Sequence, residues 1–146
     1  MLEIARFSEP GTPVSLAELA AWTGITRRYL EQLVIPMRRA GLLRGRAGRR
    51  GGYSLTRDAA DIRVGEVLAA AMGPITLVDC VAGEGACARA PRCECRPLWL
   101  LLNDRVRDLL DEHSLADLAD PAWHRRARVE IERRRARRAR AQRGKS

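Results

Sequence analysis

Residues 15–37, SLAELAAWTGITRRYLEQLVIPM, decide the fold. Ser15 and Glu18 make the S-x-x-E signature of a capping box, so a helix opens here and runs to about Trp22, where Thr23-Gly24 breaks it. Thr26 caps a second helix. In it Leu30, Leu33, Val34 and Met37 share one face at helical spacing, leaving Arg28, Gln32 and Ile35 opposite and Glu31 on the flank. Two short helices joined by a glycine-containing turn are a helix-turn-helix. Pro36 removes a backbone donor near the end of the second helix and is expected to kink it.

Working outward, Leu42 to Gly45 and Gly52 to Leu55 read as short strands around the tip Arg46-Ala47-Gly48-Arg49-Arg50-Gly51. Arg46, Arg49 and Arg50 repel one another at such a tip unless a polyanion neutralises them, so the hairpin reads as a wing rather than a solvated loop. A further helix over about residues 63–72 stops at Gly73-Pro74. Pro97 then suits the first turn of a long helix whose stripe Leu98, Leu101, Leu102, Val106, Leu109 and Leu110 runs to about Glu112. A small domain does not absorb that stripe on one face. A homodimer is the expected outlet, with Leu98, Leu102, Val106 and Leu109 at the contact, and burial within the protomer is the alternative.

The 146-residue chain carries a net charge of +9, distributed unevenly. Residues 124–146 hold ten Arg and one Lys against Glu130 and Glu132, whereas residues 1–123 balance 16 basic with 16 acidic side chains. Within that neutral body, residues 27–57 hold nine Arg and the single acid Glu31, while residues 58–123 hold twelve acids and six Arg. A basic patch on a neutral body is a docking face for nucleic acid or an acidic surface. No signal segment or long apolar run is present, which points away from a membrane and towards the cytoplasm. Cys80, Cys87, Cys93 and Cys95, spaced C-x6-C-x5-C-x-C, are then ligands or redox thiols rather than structural disulfides. The spacing departs from paired C-x2-C zinc knuckles, yet alone it leaves iron-sulfur ligation, zinc and a thiol switch open.

The runs Val14-Ser15-Leu16-Ala17-Glu18-Leu19-Ala20, Gly24-Ile25, Tyr29-Leu30-Glu31-Gln32-Leu33, Ala40-Gly41-Leu42 and Gly51-Gly52-Tyr53-Ser54-Leu55 closely resemble the Rrf-two (Rrf2) family of bacterial repressors. So do Cys80, Cys87, Cys93, Pro97, Trp99 and Leu115-Ala116-Asp117-Leu118. The resemblance implies a mainly α winged helix-turn-helix protein, homodimeric on double-stranded, pseudo-palindromic operator DNA. It places the second helix in the major groove and the wing in the minor groove, with Cys80, Cys87 and Cys93 ligating an iron-sulfur cluster, 2Fe-2S or 4Fe-4S. The candidate DNA contacts are Thr26, Arg27, Arg28, Tyr29, Glu31, Gln32, Arg46, Arg49, Arg50 and Tyr53. Glu31 either accepts from a cytosine amino group or pairs with Arg27 or Arg28 along the helix.

The chain departs from the family pattern in four places. Met1 stands where members have a residue inside their first helix, which implies a shortened start. Arg96 occupies the place where a subset carries a histidine ligand, so Cys95 is the local substitute. Pro36 interrupts the recognition helix, and the wing arginine is displaced because Ala47 holds its usual position. The expected organisation is a DNA-binding domain over 1–73, a cysteine loop over 74–96, a dimerisation helix and short helix over 97–120, and an Arg-rich tail over 121–146. That tail is expected to be disordered or a fraying helix. No catalytic constellation and no small-molecule substrate site is legible. The rival readings are a cluster-free or zinc-binding thiol-redox regulator, and a metal or redox protein whose basic regions bind RNA.

Overall fold

The computed structural model describes residues 1–7, 11–83 and 85–143. Helices α1 (Leu2–Phe7), α2 (Leu16–Thr23) and α3 (Arg27–Arg39) lead into a hairpin of β1 (Leu43–Arg46) and β2 (Gly52–Leu55). Then follow α4 (Val64–Met72), α5 (Arg96–Asp111), α6 (Leu115–Ala119) and α7 (Pro121–Arg143), with short 3-10 turns at Ala59–Asp61, Asp79–Val81 and Ala90–Arg92. This is the mainly helical winged helix-turn-helix that the sequence implies.

The capping box is formed as read: Ser15 Oγ accepts from Glu18 N at 3.2 Å and Glu18 Oε2 accepts from Ser15 N at 2.8 Å. Gly24 ends α2 with φ +70°, where its N–H donates to Ala20 O at 2.9 Å. Only glycine adopts that conformation without strain, which is why the turn between α2 and α3 is so tight. Leu30, Val34 and Met37 are the buried face of α3 and meet Ile4, Leu19, Leu42, Leu43, Ile62 and Leu115 in one core. The helix runs through Pro36 to Arg39, where an interruption was expected. Proline removes only its own donor there, and Ala40 N still reaches Pro36 O at 2.9 Å.

The hairpin is antiparallel in the register Leu43↔Leu55, Arg44↔Ser54, Gly45↔Tyr53 and Arg46↔Gly52. Val14 adds a bridge, exchanging hydrogen bonds with Tyr53 at 2.9 and 2.8 Å, so the wing is tied to the entry of α2. At its other end α4 meets α5 closely: any side chain at Gly65 would overlap Asp111 Oδ1.

In the tail, where disorder or a fraying helix was expected, residues 121–143 form one continuous helix. Asp120 caps it through Ala122 N at 2.8 Å and Trp123 N at 3.2 Å, and the Trp123 ring stands edge-on to His113 and His124 at 5.2 and 5.4 Å. Arginine and alanine are strong helix formers, and Glu130 pairs with Arg134 at 2.7 Å one turn on. Lack of an apolar face argued for disorder; propensity and the anchored first turns oppose it.

Candidate nucleic-acid interface and cysteine loop

Thr26 holds the start of α3, its Oγ1 accepting from Tyr29 N at 3.4 Å. The first turn therefore begins at a fixed point, with Arg27, Arg28, Tyr29, Glu31 and Gln32 all exposed around it. Glu31 Oε1 accepts from Arg27 Nε at 3.1 Å. In the free chain the intrahelical pairing holds Glu31, and the pair keeps a guanidinium and a carboxylate in register at the mouth of the helix. Pairs this exposed add little stability.

At the wing, Arg46, Arg49 and Arg50 are exposed. The tip turns at Gly48, φ +109°, and closes with Gly51 N donating to Gly48 O at 2.9 Å. Arg44 Nε donates to the buried Ser54 Oγ at 3.1 Å and braces the hairpin across its face. Tyr53, a candidate contact, is half-buried against the core. Its ring lies over Gly45, and a Cβ on that glycine would stand 3.5 Å from Tyr53 Cε1 and 3.7 Å from Arg38 Nε. Arg38, which the sequence reading missed, thus lies beside Tyr53 where the last turn of α3 approaches the wing. The signal was present in the bare Gly45, since a glycine inside a strand marks a close approach.

The cysteine loop is built differently. Cys80, Cys87 and Cys93 are half-buried, Cys95 is exposed, and all four thiols are free. Among the described residues no three His, Cys, Asp or Glu side chains stand close enough to hold a metal ion. The chemistry of the donor set suits an iron-sulfur cluster, three partly sheltered thiols on one segment, while this arrangement does not draw them together. Arg96 Nε is buried without a hydrogen-bond partner at the root of the loop. An open cavity of about 800 Å³ is lined there by Arg89, Arg92, Cys93 and Cys95 among others.

The root of the loop is tied to α5 by two side chains that sequence reasoning also missed. Asn103 is 2% exposed and its Oδ1 accepts from Leu77 N at 3.1 Å, while Arg107 Nε donates to Ile75 O at 3.2 Å. A lone asparagine inside a leucine-rich helix was the available cue. The leucines themselves are not absorbed by the protomer: Leu98, Leu101, Leu102 and Leu109 are between 41% and 64% exposed, and Val106 is half-buried.

A sequence profile of the Rrf2 family, described as an iron-dependent transcriptional regulator, matches residues 1–121. The chain belongs to the Rrf2 family. It is 38% identical over 120 residues to the HTH-type transcriptional regulator IscR of Escherichia coli (strain K12 / DH10B), covering 82% of this chain and 73% of that one. Among solved structures it is similar to CymR, the global cysteine regulator of B. subtilis, with a TM-score of 0.64 and 35% identity over 81% of this chain and 85% of that one. It is also similar to T. potens IscR, with a TM-score of 0.61 and 30% identity over 80% and 75%. This Rrf2 protein is accordingly a transcription regulator and not an enzyme. No described helix is long and apolar enough to cross a membrane.

Proposed function

We propose that this Rrf2 protein is a cytoplasmic homodimer that represses transcription by binding a pseudo-palindromic operator and senses iron, nitric oxide or redox state through its cysteine loop. The observation that carries DNA binding is the exposed first turn of α3 beside an arginine-tipped wing on a common core. The first turn of such a helix meets base edges and phosphates, so Arg27, Arg28, Tyr29 and Gln32 read the major groove. Arg46, Arg49 and Arg50 enter the minor groove, where a narrow groove concentrates negative potential. Tyr53 and Arg38 position the wing against α3 rather than touching bases. Glu31 is released from Arg27 on docking and accepts from a cytosine amino group. The exposed leucines of α5 supply the subunit contact.

Cys80, Cys87 and Cys93 would hold the cluster, with Cys95 a candidate fourth ligand; when bound, the cluster supplies reactivity towards oxidants and nitric oxide. The chain's own part is mechanical. The root of the loop hangs from α5 through Asn103 and Arg107, so rearrangement at the thiols reaches the helix that would space two recognition helices. A thiol switch without a cluster is the second reading, favoured by the free, exposed Cys95. Visible absorption and metal content of anaerobically purified protein separate them. A brown protein that loses its colour on Cys80→Ser, Cys87→Ser or Cys93→Ser supports the cluster, and colourless protein, or stoichiometric zinc without iron, overturns it. Selection from a random duplex library tests the DNA reading: Arg28→Ala should relax the selected consensus, and an unchanged consensus removes that residue from base recognition.

A further inference from the structure

The end of α7 belongs neither to the core nor to the stretch matched by the family profile, which ends at residue 121. Its first turns are anchored. Trp123 sits between the two histidines, and His124 Nε2 lies 2.8 Å from Leu118 O and 3.1 Å from Arg6 Nη2, which ties the helix to α6 and to α1 of the DNA-binding half. Residues 132–143 are all exposed and continue the helix for about 18 Å at 1.5 Å per residue. They include Arg133, Arg135, Arg137, Arg138, Arg140 and Arg143, none of which makes an ion pair within 4 Å among the described residues, although Glu130 feels the charge of Arg133 and Arg137. At 3.6 residues per turn these six arginines surround the helix, so it has neither an apolar face to bury in protein nor one to lay into a lipid interface.

A helix that is cationic on all sides, projecting from an anchored base, suits one kind of surface: a continuous, evenly charged polyanion met in any rotational setting. Duplex DNA presents one phosphate per about 1.7 Å of axis. We propose that residues 132–143 form a rigid arm that grips the phosphate backbone of duplex DNA outside the bases read by α3 and the wing. This rests on the DNA-binding reading above. The arm supplies affinity and no sequence preference, because guanidinium contacts to phosphate do not distinguish base pairs.

The test uses the full chain and a random-sequence duplex of 40 base pairs, with binding measured from 50 to 200 mM NaCl. In the comparison variant Arg133, Arg135, Arg137 and Arg138 are all changed to Gln, which keeps helix propensity and leaves the Glu130–Arg134 pair intact. Four lost phosphate contacts lower the slope of log K against log salt by about 3.6, so the parent loses roughly 150-fold more affinity than the variant across that range. Far-UV circular dichroism should be the same for both. An equal slope in the two proteins overturns the arm, and so does an equal slope combined with a loss of binding to anionic phospholipid vesicles, which would assign the arm to a membrane. If the parent itself does not bind the duplex, the DNA-binding reading fails and not merely the arm. A helix break at constant charge, Ala136→Pro, distinguishes an arm from a loose tail: the slope should fall with the helix, and retention of the full slope refutes rigidity.

Discussion

Residues 1–73 bury Ile4, Leu19, Leu30, Val34, Met37, Leu42 and Ile62 in one core, whereas among the described residues of 74–111 only Val81 and Asn103 are buried and Leu77, Leu98, Leu101, Leu102 and Leu109 face outward. The first region closes around a core that Leu115 of α6 completes, and presents charge together with exposed apolar side chains such as Tyr29 and Ile35. The second satisfies its polar backbone through Asn103 and Arg107 and presents leucine. On the proposed dimer, the half with a core of its own is finished by folding and the half with almost none is finished by a partner, because contiguous exposed apolar surface marks an interaction site.

The largest effect should come from breaking the unfinished half. Leu102→Glu with Leu109→Glu places unpaired carboxylates on the contact, at a cost of about 3–5 kcal/mol for an uncompensated buried charge, and should give monomers in sedimentation velocity. A double variant that still sediments as a dimer removes α5 from the interface. Next in size, Leu30→Ala should destabilise the protomer by about 2–5 kcal/mol in urea denaturation, whereas Leu101→Ala should change a monomeric background by no more than about 0.5 kcal/mol. Equal effects would erase the contrast. Asn103→Ala leaves the Leu77 N–H without its acceptor, at a cost of about 0.5–1.5 kcal/mol, and should speed amide exchange at Leu77 while leaving the α3 amides unchanged.

The smallest effect concerns acid. The Ser114 backbone N–H and hydroxyl hold Asp117 below the usual carboxylate range, helped by His113 and Arg63. A depressed carboxylate adds stability that is present above its unfolded pKa of about 3.9 and is lost as pH falls through the lower folded value. Asp117→Asn should therefore flatten the decline of stability below about pH 4, and an unchanged acid limb would show that the Ser114 box contributes nothing there.

The first region was legible because local chemistry and tertiary packing agree. The Ser15 box, the Thr26 cap, the Gly24 turn and the Leu30, Val34, Met37 face each predict what the core also demands. Pro36 leaves α3 continuous to Arg39, since one missing donor near a helix end is tolerated. In the cysteine loop the residue types were legible and their meeting was not, because no periodicity governs a segment whose contacts are long-range. Asn103 and Arg38 left only indirect cues, the lone asparagine among leucines and the bare Gly45, because Asn103 acts across 26 residues and Arg38 across the α3–wing join, so spacing does not name their partners. For the tail, low apolar content left disorder and a fraying helix both open, and propensity with an anchored first turn suffices for the helix.

The bare backbone at Gly65 gives α5 the mechanics of a cantilever. Its C-terminal end is pressed against α4 where Asp111 closes over Gly65, and Asn103 props its middle. The 16-residue helix is about 24 Å long, and its far end is the turn that begins at Arg96, one residue after Cys95. Leu98 and Leu101 ride on that end. The part of the stripe with the longest lever arm is thus the part nearest the thiols, and a second copy gripping it would feel a small tilt there as its largest displacement.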